Sequence, residues 1–275
     1  MIVWRDGDWV QDADVLPADD RGLTLGDGLF ESLLAVDGRL TQPTLHFQRL
    51  AGSAAALGLP PPDTTRLEAA ARETLSRNGL DRGRAAVRLT LTAGRSARGL
   101  PRDPSARARL LITAGPAPEP GTPVRLATVS VRRNPASPAS RHKTLSYIDS
   151  VMALREAAAL GADEAVLLNV RGRLACAAAA NLVLRIRGDI VTPSLAEGVL
   201  PGVTRARLVQ ALPEMKERPL TRREAEAADG LVLTNALRGL RPALSWDGRD
   251  LSGSHDLKAR LEEALSLAED RASLR

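Results

Sequence analysis

The sequence predicts a chain of two parts, an N-terminal α+β part and a larger C-terminal part of the α/β type. Residues 1–114 combine alternating apolar segments with two helical segments. A stretch rich in glycine and proline follows at 115–122, and residues 123–275 again mix strand-like and helix-like segments. The 275 residues suffice for one large domain or two modest ones, with room for a core and a pocket.

The N-terminal part opens with strands joined by tight turns. Asp6-Gly7 and Asp37-Gly38 each stand between apolar residues, which is the pattern of a two-residue hairpin turn. Apolar residues then recur first at helical spacing and later in alternation. This change predicts two helices and two strands, at about His46–Leu57, Asp63–Asn78, Arg84–Ala93 and Ala108–Ala114.

The C-terminal part follows Gly115–Gly121, a segment made mostly of glycine and proline that predicts a linker. Thr221 and Glu224 have the spacing of a capping box at a helix start. The other elements expected here are a polar loop at Arg132–His142, strands at Val124–Val131, Glu164–Asn169, Leu174–Ala175, Leu182–Arg187 and Leu231–Thr234, and helices at Ile148–Leu160, from Pro201 and at Asp256–Ala268.

Composition excludes several classes of protein. Hydrophobic residues make up 44% of the chain and charged residues 26%, which is typical of a globular protein. No apolar run approaches the roughly 18 residues of a membrane span, and the opening MIVWRDGDWV does not resemble a signal peptide. Cys176 is the single cysteine, so an intramolecular disulfide is excluded and we expect a cytoplasmic protein.

The charge balance points to small anions rather than to nucleic acid. Lys and Arg number 38 against 33 Asp and Glu, a formal net charge of +5. The positive charge is nearly all arginine, scattered among acids, and aromatic residues are only 2% of the chain. Nucleic-acid binding normally needs a basic stripe or a row of stacking rings. We therefore expect a small anionic substrate and no nucleic-acid or membrane partner.

Lysine is scarce enough to draw attention to individual positions, which are Lys143, Lys216 and Lys258. A lysine can lose its proton and form an imine, whereas a guanidinium does not. Lys143 ends an irregular loop just before a predicted helix, so it is a candidate imine-forming residue. An ordinary solvated surface lysine is the alternative.

Three segments have features of a phosphate site. Arg49 follows His46 by three residues on one helix face, and an arginine can bind a phosphate through two nitrogens. Pro201–Arg205 enters a helix, whose exposed N–H groups suit an anion, and Thr234 ends a strand. Each is also explained as an ordinary turn or surface position. The three histidines are too far apart in sequence to suggest a metal site.

Taken in order, these segments resemble the class IV aminotransferase family, the fold-type IV enzymes that use pyridoxal 5'-phosphate (PLP). No single motif decides it, but their order and spacing fit from about Arg21 to Pro242. The matching segments are Arg21-Gly22, Gly26–Glu31, His46 with Arg49-Leu50, Lys143–Tyr147, Gly161–Leu168, Gly172 with Asn181-Leu182, Thr192-Pro193, Leu200–Arg205 and Thr234-Asn235.

The resemblance implies a small N-terminal α+β domain, a larger barrel-like α/β domain and a homodimer. Lys143 matches the lysine that forms the aldimine with PLP and moves the proton. Arg49 matches the arginine that holds the cofactor phosphate, and further phosphate contacts fall on Val203, Thr204 and Thr234. Tyr147, the one tyrosine of the chain, is similar to a tyrosine near the cofactor ring in some members, and the resemblance makes it a candidate catalytic residue beside Lys143.

Within the family, the sequence is most similar to the 4-amino-4-deoxychorismate lyases, which release 4-aminobenzoate and pyruvate. Gly94–Leu100 resembles their arginine–glycine loop and makes Arg98 a candidate for binding substrate carboxylates. Ser32 and Asn235 are further candidates for substrate binding. D-amino-acid and branched-chain aminotransferases share the same framework, and a catalytically silent relative is a third alternative.

One position departs from the family. Most members have a glutamate five residues before the asparagine that matches Asn181, where it keeps the pyridine nitrogen protonated. Cys176 occupies that position here, with no acid nearby in sequence. A neutral thiol raises the pKa of the nitrogen far less than a carboxylate does. We expect this change to favour elimination over transamination, and loss of cofactor chemistry is the alternative.

Overall fold

The computed structural model describes residues 1–12, 15–96 and 98–273. The chain forms two compact units. The N-terminal unit comprises Met1–Pro118 and His142–Ser146, and the C-terminal unit comprises Glu119–Arg141 and Tyr147–Arg275. Ala97, within the expected arginine–glycine loop, and residues 274–275, at the end of the expected second domain, lie outside the described residues.

The N-terminal unit is built on a six-stranded antiparallel sheet in the order β2-β1-β6-β5-β3-β4. Its strands are β1 (Ile2–Arg5), β2 (Asp8–Gln11), β3 (Gly28–Val36), β4 (Arg39–Leu40), β5 (Arg84–Thr92) and β6 (Arg109–Pro116). Both predicted hairpins form, and Asp6 and Asp37 adopt the positive φ values, 55° and 48°, that such turns require.

The expected linker at 115–122 differs in part from the structure. The two units divide after Pro118, within that segment. Gly115 and Pro116, however, end β6, where their backbones lie opposite Ala86 and Ala85 of β5.

Three helices complete the N-terminal unit: α1 (Arg21–Leu25), α2 (Pro43–Ala56) and α3 (Thr64–Arg77). Asp20 caps α1 and Asp63 caps α3, each accepting a backbone N–H two residues later. The apolar faces of α2 and α3 pack with the sheet around residues such as Leu33, Leu50 and Leu75. The sequence did not predict α1, because five residues are too few for a helical period.

The C-terminal unit holds a nine-stranded mixed sheet in the order β12-β11-β10-β13-β14-β7-β8-β9, with β15 paired to β14. The β7–β8, β7–β14 and β11–β12 pairs are parallel. Its strands are β7 (Val124–Arg133), β8 (Glu164–Asn169), β9 (Leu174–Ala177), β10 (Asn181–Ile186), β11 (Asp189–Pro193), β12 (Lys216–Arg218), β13 (Ala228–Asn235), β14 (Gly239–Trp246) and β15 (Arg249–Asp250).

The helices of this unit are α4 (Pro138–Arg141), α5 (Ile148–Ala159), α6 (Val203–Ala211), α7 (Arg222–Ala225) and α8 (Ser254–Ser273). The predicted capping box is present, since Thr221 and Glu224 bond each other's backbone N–H at the start of α7. The expected loop at 132–142 is corrected in two places: β7 continues to Arg133, and Pro138 begins α4. Proline suits the first turn of a helix because no hydrogen bond is lost there.

No helix within the described ranges is long and apolar enough to cross a membrane.

Candidate functional site

Lys143 lies on a short segment that pairs with the start of β3. The carbonyl of Lys143 accepts the N–H of Phe30 at 2.8 Å, and the N–H of Leu145 donates to the carbonyl of Gly28 at 3.0 Å. Gly28 has no room for a side chain, because a Cβ would lie 2.4 Å from the carbonyl oxygen of Leu91. The backbone of Lys143 is therefore fixed against the sheet, although the lysine follows an irregular loop.

The side chain of Lys143 lies over the ring of Phe30, with Nζ 4.1 Å from the ring centroid. The guanidinium of Arg88, on β5, lies 3.9 Å from the same centroid. Ser32 is the cross-strand neighbour of Arg88, so these two residues and Phe30 share one face of the sheet. The structure thus brings the predicted lysine and the predicted Ser32 to one face, together with a second cation that sequence reasoning missed.

Glu31 lies between Phe30 and Ser32 and points to the other face, toward α2. Its carboxylate accepts His46 Nδ1 at 2.7 Å and both Nε and Nη2 of Arg49, at 2.7 and 2.6 Å. Glu31 and His46 are each only 1% exposed. Burial raises the pKa of Glu31, but the hydrogen bonds from His46 and Arg49 outweigh it, so the pKa lies below its ordinary value. Arg49 is therefore held rigidly by a buried carboxylate.

The start of α6 forms an anion cradle in the C-terminal unit. Its N-cap is Gly202, so no side chain caps the first N–H groups, which include those of Val203 and Thr204. A Cβ on Gly202 would lie 1.9 Å from Oδ1 of Asn181. Nδ2 of Asn181 in turn donates to the carbonyl of Leu200 at 3.0 Å. Asn181 thus fixes the turn that leads into α6 and leaves its N–H groups open.

Thr234 belongs to the same part of the C-terminal unit, because it is the β13 residue paired with Asn181 of β10. Thr234 is 1% exposed. In the part of the chain that the structure describes, its hydroxyl oxygen is buried without a hydrogen-bond partner. A buried hydroxyl of this kind normally has a partner, so an acceptor from a bound group fits here.

Cys176 lies in β9, opposite Leu167 of β8, and packs against Ala175 and Val199. Burial raises the pKa of its thiol, so the group is neutral at physiological pH. The neighbouring buried acid, Glu164, is used elsewhere. One of its oxygens accepts the N–H groups of Ala165 and Ala178, at 3.0 and 3.2 Å, and the other lies 3.9 Å from Nη1 of Arg241.

The remaining predicted residues have different surroundings. Tyr147 is the N-cap residue of α5, without a side-chain capping bond. Asn235 uses both ends of its amide within the C-terminal unit, donating to the carbonyl of Ala179 at 3.3 Å and accepting from the N–H of Arg238 at 2.8 Å. Arg98 is exposed on the loop between β5 and β6. Their predicted roles remain predictions.

Comparison with known proteins decides the family. The profile described as amino-transferase class IV matches residues 28–246. The chain belongs to the class IV aminotransferase family. A Methanocaldococcus jannaschii protein, provisionally named branched-chain-amino-acid aminotransferase, is 31% identical over 96% of this chain and 94% of its own. A bifunctional aminodeoxychorismate lyase / D-amino acid transaminase of Mycobacterium tuberculosis is 29% identical over 76% of this chain and 77% of its own.

A solved structure shares the fold along the whole length. It is described as a hypothetical aminotransferase from Mycobacterium tuberculosis in its PLP-bound form. It matches with a TM-score of 0.85 and 25% identity, covering 98% of this chain and 100% of its own. The predicted fold-type IV architecture is confirmed, and the chain is a PLP-dependent class IV enzyme.

The residues present fit the phosphate of PLP. The open N–H groups of α6 and the unsatisfied hydroxyl of Thr234 are donors for an anion, and Gly202, which has no side chain, lets Asn181 approach the turn before α6. At the position where the resemblance implies an acid beside the ring nitrogen, Cys176 has a thiol whose pKa is raised by burial. Among the residues described, no group of three or more His, Cys, Asp or Glu side chains could hold a metal ion.

Sequence reasoning missed three residues of these clusters. Glu31 was noted only as part of a motif. Its pairing with Arg49 was not predicted, because two residues 18 positions apart in sequence leave no local pattern. Asn181 was used only as a marker for counting. The position of Arg88 could have been predicted, because the alternation along β5 places its side chain on the face opposite the buried Val87 and Leu89.

Replacing Gly202 by Ala tests the cradle. The new Cβ would displace Asn181 and distort the turn before α6, so we expect the affinity for PLP to fall by about tenfold or more, the value of one lost charge-assisted hydrogen bond. The measurement is a titration of the apoprotein followed by visible absorbance. Gly52→Ala is the matched control, because a Cβ at this helical glycine meets nothing within 4 Å. Equal affinity in the two variants would contradict the cradle.

Replacing Glu31 by Gln tests the buried ion cluster. At pH 7 we expect the free energy of unfolding to fall by about 3 kcal/mol, because the guanidinium of Arg49 loses its buried counter-ion and His46 loses its hydrogen-bond acceptor. The lowered pKa means that the carboxylate stabilises the fold above the ordinary glutamate value of about 4.3, and that this contribution is lost as the pH falls below it. The difference in free energy of unfolding between wild type and Glu31→Gln, measured by urea unfolding, should therefore shrink as the pH falls from about 5 to about 3.

The control for this experiment is Glu73→Gln, which removes a half-exposed partner of Arg77 on α3. Exposed pairs of this type contribute about 0.3–0.5 kcal/mol. A loss from Glu31→Gln that is as small as this, or one that does not depend on pH, would show that the cluster does not stabilise the unit.

Proposed function

We propose that this protein is a PLP-dependent lyase that converts 4-amino-4-deoxychorismate to 4-aminobenzoate and pyruvate. The observation that carries the proposal is the buried, neutral thiol of Cys176 at the position where most of the family has an acid. The name of the Mycobacterium tuberculosis relative, which includes this lyase activity, supports it. The proposal includes the homodimer that the resemblance implies.

PLP, when bound, supplies a ring that accepts the electrons of the bond that breaks. Cys176 does not hold a proton on the ring nitrogen as a carboxylate would, which weakens this acceptance. Transamination depends strongly on it. The lyase reaction depends on it less, because departure of the pyruvyl unit makes the substrate ring aromatic. Cys176 therefore favours the lyase reaction.

Lys143 binds PLP through its amine and then moves the substrate proton as base and acid. The N–H groups of Val203 and Thr204 and the hydroxyl of Thr234 hold the phosphate, and Arg49 contributes its guanidinium. The fixed backbone of Lys143 and the rigid setting of Arg49 support these assignments.

Substrate binding is assigned to residues that carry charge or hydrogen-bonding groups near these clusters. Arg98 binds the carboxylates, and Ser32 lies on the same face of the sheet as Phe30, over which Lys143 is placed. Tyr147 lies near the cofactor ring. Asn235 orders the turn after β13 through its bonds to Ala179 and Arg238, and through that turn contributes to the substrate site.

The decisive experiment measures product release without any keto acid. Holoenzyme given 4-amino-4-deoxychorismate should release 4-aminobenzoate, followed by its fluorescence, and an equal amount of pyruvate. Lys143→Ala should lower the rate by at least about 100-fold, the usual contribution of a proton-transferring group. Lys216→Ala is the control, because Lys216 is an exposed lysine paired with Asp189.

The second candidate is an amino-acid aminotransferase, which the name of the Methanocaldococcus jannaschii relative favours. A transaminase must pass the amino group to a keto acid. If 4-aminobenzoate is not released, and the amino group of D-alanine or L-leucine is instead transferred to 2-oxoglutarate, the lyase proposal is wrong and the aminotransferase stands.

Cys176→Glu tests the role of the thiol directly. A carboxylate at this position should raise the pKa of the ring nitrogen by about 1–3 units and increase amino transfer from D-alanine by about tenfold, with no gain in 4-aminobenzoate release. Cys176→Ser keeps the site small and neutral and should resemble wild type. Nitrogen-15 NMR of labelled PLP reads the ring directly, and a protonated nitrogen in the wild-type enzyme would overturn the argument.

A further inference from the structure

One buried arginine binds three successive carbonyls of the loop that carries Arg98. Nη2 of Arg21 donates to the carbonyl of Leu100 at 2.7 Å, and Nη1 donates to those of Gly99 and Pro101, at 3.1 and 3.3 Å. Arg21 is only 4% exposed, although it starts a helix of five residues. A guanidinium offers its donors in a fixed plane, so binding three carbonyls at once restricts the path of the loop backbone.

Arg21 is itself held in place by a bridging carboxylate. Its Nε donates to Oδ2 of Asp27 at 2.8 Å. Asp27 also accepts Nε and Nη2 of Arg102, at 3.0 and 2.5 Å, so the arginine beyond the three carbonyls is tied to the same acid. Nη1 of Arg102 continues to the carbonyl of Leu57 at 2.6 Å. Residues 99–102 are thus anchored to both α1 and the end of α2.

The start of the loop is anchored independently. The N–H of Arg21 donates to the carbonyl of Gly94 at 2.9 Å. Gly94 has a φ of +76°, and a Cβ there would lie 1.9 Å from the carbonyl oxygen of Arg107. Only glycine fits this crossing of the two ends of the loop. The base is closed by this contact, so the bonds to residues 99–101 act on the outer part of the loop.

Arg98 is the exposed arginine that directly precedes the restrained residues of this loop. Arg95 pairs with Asp19 at 2.9 Å, and Arg102 pairs with Asp27. Arg98 is exposed, and within residues 1–12, 15–96 and 98–273 its guanidinium has neither a hydrogen bond nor an ion pair. The residue directly after it is the first of the three that Arg21 holds. Within the described residues, the loop therefore combines a restrained backbone with an exposed, unpaired arginine next to it.

We propose that Arg21 is a positioning residue for substrate binding, which fixes residues 99–101 so that Arg98 is presented to a substrate carboxylate. This inference rests on the proposed role of Arg98. Holding the loop before substrate arrives lowers the entropy cost of ordering it on binding, so the effect falls on substrate affinity. The chemistry at Lys143 and the binding of PLP do not depend on Arg21.

The experiment compares Arg21→Lys, Arg98→Ala and the double variant, using holoenzyme and 4-amino-4-deoxychorismate. Lysine keeps the buried charge beside Asp27 but loses the planar fork. We expect Arg98→Ala to raise KM by about tenfold or more, as for loss of a charge-assisted hydrogen bond, and Arg21→Lys to raise it severalfold. The value of kcat and the affinity for PLP should stay within about twofold, because neither variant touches the reacting groups. Arg72→Lys, at an exposed pair on α3, is the matched control.

The double variant decides between positioning and general stability. If Arg21 acts through Arg98, its substitution adds nothing once Arg98 is gone, and the double variant has the KM of Arg98→Ala. Additive losses, or a fall in kcat and PLP affinity with unchanged KM, would overturn the proposal and leave the lyase function intact. An unchanged KM in Arg98→Ala would remove the role of Arg98 and the inference together. If the wild-type enzyme releases no 4-aminobenzoate, the proposed function itself is wrong. The KM values of the three variants are then compared for amino transfer from D-alanine. A double variant with the KM of Arg98→Ala again supports the positioning role, and additive losses again contradict it.

Discussion

The pairing of Lys143 and Leu145 with the start of β3 is the constraint on which the N-terminal cluster depends. These residues stand between Arg141 and Tyr147, which belong to the C-terminal unit, yet they are part of the N-terminal unit. Two backbone hydrogen bonds and a bridge between Leu29 and Thr144 hold them there. Side chains alternate between the two faces of the sheet along β3. Phe30 therefore contacts Lys143 on one face, and Glu31 binds Arg49 on the other.

The two units differ in the charge of one buried side chain, Glu31 in the N-terminal unit and Cys176 in the C-terminal unit. In the N-terminal unit a buried carboxylate, Glu31, is bonded by His46 and Arg49, and removing it would take the buried counter-ion from Arg49. In the C-terminal unit the position that most of the family gives to an acid is apolar and neutral at Cys176, packed among Ala175 and Val199. In the proposed function, a group at that position that requires a counter-ion does not find one, and the segment assigned to the phosphate is a separate part of the unit. The proposal therefore keeps the donors for the PLP phosphate and alters how strongly the PLP ring accepts electrons.

Local chemistry explains which features could be predicted from the sequence. The hairpins at Asp6-Gly7 and Asp37-Gly38 and the capping box of Thr221 depend on residues close together in the chain, and all three form. β14 has no such signal, since Arg241 and Pro242 interrupt its apolar pattern and the strand is defined by its neighbours. The resemblance pointed to the phosphate-binding segments, but the pairing of Glu31 with Arg49 joins residues from different elements and leaves no pattern in either.

The loop held by Arg21 shows the same limit most clearly. Its three bonds go to backbone carbonyls of Gly99, Leu100 and Pro101, groups that every residue has, so no side-chain pattern in the loop records them. The sequence shows an arginine after Asp20 and an arginine at position 98, and only the fold relates the two. In the proposed function, the phosphate is held by backbone N–H groups, which do not distinguish one substrate from another. Discrimination between substrates would then come from parts that differ in charge or rigidity, and the proposal assigns it to the thiol of Cys176 and the restrained loop around Arg98.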